Sequence, residues 1–473
     1  MDPAGEPALA TPRRRLDWRE VSRRAGPPFL VFVLLTWAAA WWYGAQRPEP
    51  DLLPFLKRAW PMADFSQRPG GSWEVRRQGE LLGHAAWGRG SGYGGGIVVA
   101  IGANAEATIT SAAFLEYRDT PDLMRSTRAL LASFLGRQVD EPFEVGRDVD
   151  AVTGATASTR GIAEATRAAL AALPSPQTAT SDGEPAIVFG AAEIVLLVLL
   201  VAGALCGNRA GLRGRPLELL RGATLLASLA TIGFLFNRPW VIAFPIQLLT
   251  GDWPSWRTHL YGYLMFAYLL LAFQRTGKNP YCPWICPFGA AQELVGKLGG
   301  AQRRRVPATL LFHWVKRLLL WLAVLLGLAF RSPGAASFEI FGTAFRGAGS
   351  GFQIALLVLV AAVAVFFARP FCHWVCPVDT TEQFAQLVRV RLLRLLGRQT
   401  RPPRERRPVL LPVLRDEPPR ELARRLRDGA LTAAGLLAAL LVVAHLGTRF
   451  AALGDDAARG RMSETFVAAP AAR

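Results

Sequence analysis

Long apolar runs recur along this chain and limit the folds that it can adopt. A helix needs about 20 mostly apolar residues to cross a bilayer. Six runs come close to this length: 28–44, 186–206, 218–236, 309–330, 352–368 and 429–447. A seventh, 258–273, is shorter and rich in tyrosine and phenylalanine, whereas the apolar stretch 239–250 contains Pro245 and favours a re-entrant or interfacial piece. We therefore predict a polytopic α-helical membrane protein with about seven spans.

The basic residues lie beside these apolar runs. The chain has 54 lysine and arginine residues against 36 acidic ones, and 51% of its residues are hydrophobic. A net charge of +18 is compatible with nucleic-acid binding, but basic segments that flank apolar runs are typical of the cytoplasmic loops of membrane proteins. We therefore expect the lipid bilayer as a partner and expect no nucleic acid.

The distribution of lysine and arginine also predicts an orientation, because short loops rich in these residues stay in the cytoplasm. The aromatic residues 41–43 follow the first run like an interfacial belt, which favours an uncleaved first span over a signal peptide. We therefore predict a multi-pass protein of the bacterial inner membrane. Its N-terminal part has a basic cytoplasmic N-terminus at 1–27, a span at 28–44, a periplasmic domain at 45–175 and a linker at 176–185. A polytopic core at 186–388, with the cysteine motifs on its cytoplasmic side, is followed by an Arg-rich cytoplasmic loop at 389–428, a span at 429–447 and a C-terminal tail at 448–473.

The predicted periplasmic segment 45–175 has the pattern of a small α+β domain. Glycine-rich turns alternate with short apolar strands such as 97–101, and helical patterns occur near 122–135 and 160–172. None of the five cysteines of the chain lies in this segment, so disulfides do not hold it together.

The most distinctive motif of this domain is Asp-Ala-Val-Thr-Gly-Ala-Thr-Ala-Ser-Thr at 150–159. Small residues beside a hydroxyl leave it accessible to a modifying enzyme, and a helix that begins just after it favours a phosphate. The plain alternative is a turn that caps this helix. A glycine-rich segment at 92–98 and the tripeptide 119–121 precede the motif in the chain.

In this order the three segments resemble the FMN-binding domains of the Nqr and Rnf subunits and of the NosR/NirI family. The resemblance implies that a flavin transferase joins the phosphate of FMN to a hydroxyl through a phosphodiester. By position Thr156 matches the acceptor, and Ser158 and Thr159 are fallback candidates. The other residues that the resemblance assigns to FMN binding are Asp150, Thr153, Gly154, Ala155, Gly94, Gly95 and Thr120, while Asp119 stands where the family has glutamate.

An internal repeat begins at 278 and again at 368, and each copy contains Cys-x₃-Cys-Pro with a central tryptophan. The cysteines are Cys282 and Cys286 in the first copy and Cys372 and Cys376 in the second. Thiols at i and i+4 lie on one face of a helix about 5–6 Å apart, so two such pairs at the ends of spans can converge. Four thiolates are the usual ligands of a [2Fe–2S] or [4Fe–4S] cluster. We predict an iron–sulfur centre at these four cysteines.

Other interpretations of these residues stay open. Four thiolates also bind zinc, and a cysteine pair can act as a redox-active thiol or in metal assembly. Trp284 and Trp374 recur beside the cysteines, where they pack at an interface or assist electron transfer. Cys206 is interpreted as a small buried hydrophobe. The histidines considered as haem ligands give no convincing facing pair: His259, His313, His373 and His445.

The order of parts across roughly residues 25–390 resembles the NosR/NirI family: one span, an FMN domain, and a polytopic core with two Cys-x₃-Cys-Pro motifs. Members of that family usually end in a ferredoxin-like domain with further cysteine motifs, whereas this chain has no cysteine after Cys376. A separate ferredoxin-like subunit that binds the loop 389–428 would supply the missing part.

The resemblance implies an electron-transfer protein rather than a classical enzyme. Electrons would pass between a quinol or ferredoxin-like donor and the FMN, and then to a periplasmic acceptor such as nitrous oxide reductase, whose activity or maturation the protein would support in denitrification. Two other functions stay open: a redox-sensing membrane regulatory protein, and a copper-site assembly factor.

Overall fold

The computed structural model describes an antiparallel sheet with covering helices and a bundle of apolar helices. The described residues are 18–46, 50–92, 94–117, 128–151, 156–174, 187–207, 214–276, 280–301, 307, 309–347, 349–395, 397, 421–451, 453, 462 and 464–469. The predicted linker 176–185 and most of the Arg-rich segment 389–428 lie outside them.

The sheet domain follows the N-terminal helix. Its strands are β1 (Asp64–Gln67), β2 (Trp73–Arg77), β3 (Glu80–Ser91), β4 (Gly96–Asn104), β5 (Ile109–Tyr117) and β6 (Val467–Ala468), and its helices are α2 (Leu53–Ala59), α3 (Arg128–Ala132) and α4 (Thr156–Ala172). The strands lie in the order β1-β2-β3-β4-β5-β6, and each neighbouring pair is antiparallel. The prediction of a small α+β domain is confirmed.

Both faces of the central strand β4 are buried, because successive side chains of a strand point to opposite faces and a helix covers each one. Ile97 packs in one core with Ile162 of α4. Ala100, on the other face, packs in a second core with Phe55 of α2. Full burial of an isoleucine or phenylalanine side chain contributes about 1.5–3 kcal/mol, so the two cores fix both helices on the sheet.

Glycines let α4 lie directly against β3. A Cβ atom on Gly90 would stand 2.0 Å from the carbonyl oxygen of Gly161, and one on Gly161 would stand 2.6 Å from the carbonyl oxygen of Ser91. Any other residue at these positions would push the helix away from the strand. The contact therefore holds the N-terminal end of α4 beside the glycine-rich entry to β4.

The last described segment of the chain returns to this domain. Strand β6 pairs with β5 in the register Ser111↔Ala468 and Ala112↔Val467. The Thr465 hydroxyl accepts a 3.3 Å hydrogen bond from the backbone N–H of Phe114. The sequence predicts only a C-terminal tail at 448–473, so this strand is a structural feature beyond that prediction.

The apolar helices agree with the predicted membrane protein. They are α1 (Trp18–Ala45), α5 (Ala191–Gly207), α6 (Arg215–Ser228, which continues as a π-helix over Leu229–Leu235), α8 (Leu260–Thr276), α11 (Thr309–Ala329), α14 (Gly351–Ala364) and α17 (Glu421–Ala451). Among the described residues, four stretches are long and apolar enough to cross a membrane: Pro28–Ala45, Arg215–Leu235, Leu311–Ala329 and Arg425–Ala451. Shorter apolar helices cover Ala191–Ala204, Leu260–Gln274 and Gly351–Ala364. Each predicted span coincides with one of these seven stretches.

Many large apolar side chains on the bundle point outward, for example Leu35, Val198, Leu235 and Leu271. In water such an apolar surface would promote aggregation, whereas lipid chains solvate it. The bundle therefore has the surface of a membrane domain.

Short helices connect the long ones. They are α7 (Ala243–Leu249), α9 (Tyr281–Trp284), α10 (Pro287–Leu298), α12 (Pro333–Ala336), α13 (Phe341–Arg346), α15 (Pro370–Trp374) and α16 (Pro377–Leu395). The stretch 239–250 contains only the short helix α7, four of whose residues are buried, in agreement with a piece that does not span.

The sheet domain docks on the loops that join the bundle helices. Arg89 of β3 and Arg331, which follows α11, each form a 3.4 Å ion pair with Asp252 in the loop after α7. The backbone N–H of Val188, just before α5, donates a 2.8 Å hydrogen bond to the carbonyl of Arg257 in the same loop. These contacts bring the loop 250–259 against the end of α4 that carries the predicted flavin motif.

Candidate functional site

The predicted flavin acceptor, Thr156, is the first residue of α4 and is half-buried. The two fallback hydroxyls, Ser158 and Thr159, are fully buried. Asp150, the first residue of the motif, is exposed, while Thr153, Gly154 and Ala155 lie outside the described residues. Of these three described hydroxyls, Thr156 is the one that an enzyme can reach without moving the helix.

The glycine-rich segment lies against the same end of α4. The backbone N–H of Gly92 donates a 2.9 Å hydrogen bond to the carbonyl of Gly95, which closes a turn, and Gly94 and Gly95 are buried. A carboxylate oxygen of Glu164 on α4 accepts a 3.3 Å hydrogen bond from the backbone N–H of Ser91. Burial raises the pKa of Glu164. Thr120 lies outside the described residues, so its predicted role stays a prediction.

A cleft opens between the start of α4 and the loops at the end of the bundle, and we call it the junction cleft. Its cavity volume is about 90 Å³, within about 700 Å³ of atom-free space that includes open solvent. Its lining residues are Arg160, Arg238, Pro239, Trp240, Val241, Phe244, Thr258, His259, Tyr261 and Gly262. Only Arg160 comes from the sheet domain, and it lies one helical turn after Thr156.

Two arginines give the junction cleft a positive character. Burial lowers the pKa of Arg160, and the charge of Arg238 adds to this effect while Glu193 opposes it. Arg238 forms a 3.2 Å ion pair with Glu193, and its guanidinium carbon lies 5.6 Å from the ring centre of Tyr261. Like charges held together in a partly dry cleft favour an electron-rich or anionic ligand.

His259 is uncharged at neutral pH. Its pKa is about 4, because burial disfavours the imidazolium and the charges of Arg160 and Arg238 disfavour it further. Its Nδ1 lies 3.0 Å from the hydroxyl oxygen of Thr258. Its Nε2 is buried and has no hydrogen-bond partner among the described residues. A buried polar atom in this state favours a ligand that completes its hydrogen bonding.

The two cysteine motifs fold in the same way. The backbone N–H groups of Ile285 and Cys286 both donate to the carbonyl of Tyr281, and those of Val375 and Cys376 both donate to the carbonyl of Phe371. The sequence repeat therefore corresponds to a structural repeat.

The expectation that each cysteine pair lies on one face of one helix was wrong. Helix α9 ends at Trp284 and α10 begins at Pro287, with Cys286 between them in an extended conformation. A proline disfavours the helical conformation of the residue before it, so Cys286 breaks the helix ahead of Pro287. The same break precedes Pro377. The Cys286 thiol instead accepts a 3.4 Å hydrogen bond from the N–H of Gly289.

The four cysteines nonetheless lie in one region, where Cys286 and Cys376 are buried and Cys282 and Cys372 are half-buried. The thiols of Cys372 and Cys376 hydrogen-bond to each other, Cys286 lies near Cys372, and Cys282 lies near Cys376. Cys286 and Cys376 belong to the core of the bundle, and Cys282 packs against it. The assignment of all four cysteines to one centre stays a prediction.

Hydrogen-bond donors surround the thiols. The buried amide of Gln292 points its Nε2 at the Cys372 sulfur, 3.7 Å away, and its Oε1 accepts a 3.0 Å hydrogen bond from the N–H of Phe371. Arg369 donates to the Cys282 carbonyl at 2.9 Å and lies near three of the cysteines. Its buried Nη2 has no hydrogen-bond partner among the described residues. A negatively charged iron–sulfur cluster would accept from this donor, so the residues present fit such a group.

A single metal ion fits less well. Within the described ranges, no three histidine, cysteine, aspartate or glutamate side chains come close enough to hold one ion. A zinc ion needs four ligands at about 2.0–2.3 Å from one point, whereas a cluster receives each thiolate on a different iron atom. Of the histidines considered as haem ligands, His445 already has a partner, because its Nδ1 lies 3.0 Å from the Ser350 hydroxyl oxygen.

A hydrogen bond links the two regions. The backbone N–H of Trp240, in the wall of the junction cleft, donates at 2.9 Å to the hydroxyl of Tyr281, which directly precedes Cys282. Sequence reasoning missed the cleft and the roles of Gln292 and Arg369. Only Gln292 gave a signal, because it closes the first copy of the repeat as a polar residue among apolar ones.

Comparison with known families matches both regions. The FMN-binding domain family matches residues 92–171, which include Thr156. A 4Fe-4S binding domain family matches residues 258–305 and 351–395, which contain all four cysteines of the repeat. The predicted FMN-binding domain and iron–sulfur segments are thereby confirmed.

Three curated proteins are similar to parts of the chain. Regulatory protein NosR of Pseudomonas aeruginosa is 28% identical over 201 residues, or 38% of this chain and 27% of that protein. Protein NirI of Paracoccus denitrificans is 30% identical over 209 residues, or 40% and 30% of the two chains. Regulatory protein NosR of Stutzerimonas stutzeri is 27% identical over 136 residues, or 26% and 18%. The matched stretches thus span less than a third of each relative. No solved structure matches the chain.

Proposed function

We propose, because this chain is a NosR/NirI-like family membrane flavoprotein, that it transfers electrons across the bacterial inner membrane between an iron–sulfur centre at its four paired cysteines and an FMN attached at Thr156. The observation that carries this proposal is the 2.9 Å hydrogen bond from the backbone N–H of Trp240, in the wall of the junction cleft, to the hydroxyl of Tyr281, which directly precedes Cys282. Bound FMN and an iron–sulfur cluster would supply the reversible electron uptake that protein side chains lack.

The chain's own residues would hold and tune these groups. The position of Thr156, half-buried at the start of α4, supports it as the hydroxyl that a flavin transferase joins to the FMN phosphate. The helix N-terminus there favours the negative phosphate. Asp150, Thr153, Gly154 and Ala155 would shape the turn that exposes this hydroxyl.

Cys282, Cys286, Cys372 and Cys376 would be the four ligands of one cluster. The positive charge of Arg369 and the Gln292 amide would stabilise added negative charge on this centre. The family match favours [4Fe–4S] over [2Fe–2S]. Aromatic side chains exclude water around it: the ring centres of Phe288 and Phe371 lie 5.2 Å apart.

The return of the chain to the sheet supports seven spans. Strands β5 and β6 pair, so the segments before α5 and after α17 lie on the same side of the membrane. An even number of crossings must then separate them. Three of the long apolar stretches fall in this interval, an odd number, so at least one of the shorter apolar helices must also cross. If all three shorter apolar helices cross together with the three long stretches of this interval, the interval contains six crossings. Helix α1 adds the seventh span.

The orientation that we propose has the sheet domain in the periplasm and the Arg-rich segment 389–428 in the cytoplasm. A cysteine introduced by Arg147→Cys is expected to react with a membrane-impermeant thiol reagent in spheroplasts, and one introduced by Gly397→Cys only after lysis. Labelling of both before lysis would contradict this orientation.

We further propose that the protein serves denitrification, with a periplasmic acceptor such as nitrous oxide reductase and with a quinol or a ferredoxin-like subunit as donor. Similarity to NosR and NirI supports this assignment. Two of the relatives are named regulatory proteins, which favours redox sensing as the second candidate function. In a bacterial strain that lacks this protein, a loss of nitrous oxide reduction with unchanged target-gene expression would favour electron transfer over sensing.

Mass spectrometry of the purified protein, expressed with a flavin transferase, tests both cofactor assignments. An FMN mass increment is expected on the peptide that contains Thr156, absent in Thr156→Ala and retained in the control Ser158→Ala. Iron and acid-labile sulfide are expected in the wild type, lost in Cys282→Ser and Cys376→Ser, and retained in the control Cys206→Ser. A protein without flavin or without iron would contradict the proposed function.

A further inference from the structure

We infer that the junction cleft is the seat of the flavin ring: the isoalloxazine of an FMN tethered at Thr156 lies between Arg160, Arg238, Trp240, His259 and Tyr261. The inference rests on the proposed function, because it requires FMN on Thr156. It adds where the ring lies, which is at the contact between the sheet domain and the bundle rather than within the sheet domain.

The separation of Thr156 and Arg160 along α4 allows a tethered FMN to place its ring in the junction cleft. Thr156 and Arg160 are four residues apart on α4, which is about 6 Å along the helix axis at 1.5 Å per residue. A ribityl chain between the phosphate and the ring spans such a length. A phosphate at the start of α4 would therefore leave the ring beside the part of the cleft that Arg160 lines.

The walls of the cleft match the faces of the ring. Trp240, Phe244 and Tyr261 present aromatic surface, and the ring centres of Trp240 and Phe244 are 5.8 Å apart. A flat aromatic ligand stacks well on such side chains. None of the three is polar at its face, so the dry part of the cleft suits an uncharged ring system.

Polar groups of the cleft match the edge of the ring. Isoalloxazine carries carbonyl oxygens and ring nitrogens that accept hydrogen bonds, and Arg160 and Arg238 are strong donors. The buried Nε2 of His259 needs one partner, which the ring edge supplies. The two guanidinium charges would stabilise negative charge on the reduced ring, which raises its reduction potential.

The other cavity near the motif suits the ring less well. It lies beside Asp150 and Ala151, and its lining includes Arg137, Glu141 and Asp148. Arg137 pairs with Glu141 at 2.6 Å and with Asp148, so two carboxylates face its single positive charge, whereas the two arginines of the junction cleft face the carboxylate of Glu193. No aromatic side chain lines this cavity among the described residues.

The test uses the flavin fluorescence of the full-length holoprotein in detergent, because a stacked tryptophan quenches flavin emission. For each variant, the emission of the native protein is divided by that of the same sample after denaturation. Trp240→Phe keeps an aromatic wall and is expected to raise this ratio several-fold, with a further rise in Trp240→Phe/Tyr261→Phe. The control is Trp253→Phe, since Trp253 is exposed and does not line the cleft.

A second readout does not depend on quenching. Arg238→Gln is expected to lower the flavin reduction potential, whereas Arg147→Gln, on the exposed surface of the sheet domain, is expected to leave it unchanged. A ratio and a potential that stay at the wild-type values in Trp240→Phe/Tyr261→Phe and Arg238→Gln would overturn the inference. That outcome differs from failure of the proposed function, in which the denatured protein itself lacks flavin emission.

Discussion

The backbone N–H of Trp240 donates a 2.9 Å hydrogen bond to the hydroxyl of Tyr281, a fully buried residue that directly precedes Cys282. One of the two residues lines the junction cleft and the other begins the first cysteine motif. The contact connects the two candidate cofactor regions through a single hydrogen bond. It gives the proposed electron transfer a structural route whose residues can be changed one at a time.

Tyr281→Phe removes the acceptor of this hydrogen bond. An unpaired buried N–H costs about 1–3 kcal/mol, so Trp240 is expected to shift and electron exchange between flavin and cluster to slow. Rapid-mixing absorbance of the purified protein measures the rate. The matched control is Tyr263→Phe, whose hydroxyl donates to the Pro254 carbonyl at 2.8 Å in the loop before α8. Equal rates in the two variants, at equal flavin and iron content, would remove this route from the account.

Gln292→Leu tests the polar surroundings of the thiols. The substitution removes the acceptor of the Phe371 N–H and the donor that points at the Cys372 sulfur, while the volume stays similar. Iron and acid-labile sulfide per protein are expected to fall, and the remaining cluster is expected to be lost faster on exposure to air. Gln247→Leu, also buried but on α7, controls for loss of a core amide. Full iron content in Gln292→Leu would argue that this amide does not support the centre.

Ala469→Pro tests the return of the chain to the sheet. The backbone N–H of Ala469 donates a 2.8 Å hydrogen bond to the carbonyl of Thr110, and proline has no N–H to donate. A loss of about 1 kcal/mol or more in the stability of the sheet domain is expected. Limited proteolysis of the full-length protein measures it, and Ala469→Ser, which keeps the N–H, is the control. Identical cleavage of both variants would contradict a structural role for β6.

Acid is expected to weaken the sheet domain through Asp148. Burial alone would raise the pKa of Asp148, but the N–H groups of Glu144 and Phe143 and the Arg137 guanidinium outweigh it and lower the pKa. A carboxyl with a lowered folded-state pKa contributes stability that is present above its unfolded pKa of about 3.9 and is lost as the pH falls through the folded value.

The comparison of Asp148→Asn with the wild type measures this contribution. The variant is expected to be less stable at pH 7, and the difference is expected to close as the pH falls below about 4. The exposed Asp140→Asn is the control. A difference that stays constant with pH would show that the effect comes from packing and not from the charge of Asp148.

The membrane helices were predictable because hydropathy is local: each apolar run is solvated by lipid wherever its neighbours lie. Thr156 and the four cysteines could be proposed as candidates for a similar reason, since short motifs contain them. The cleft was not, because Arg160 and Trp240 are far apart in sequence and meet only when the sheet domain docks on the bundle.

Two features of the structure differ from the sequence predictions, and each has a local cause. The helix break at Cys286 follows from Pro287, and the same reasoning applied to the Cys-Pro pair would have found it. Strand β6 is two residues long, too short for any periodicity, and its partner β5 lies more than three hundred residues earlier in the chain. Its hydrogen bonds form only because the last helix returns the chain to the sheet.

Electron transfer between the two groups is measured by flash photoreduction of the flavin in the full-length holoprotein, with the absorbance of the iron–sulfur cluster followed in time. The cluster is expected to be reduced after the flavin with a rate that does not change on dilution, and this signal is expected to be absent in Thr156→Ala. A cluster that stays oxidised, or a rate that falls in proportion to protein concentration, would contradict electron transfer within this chain.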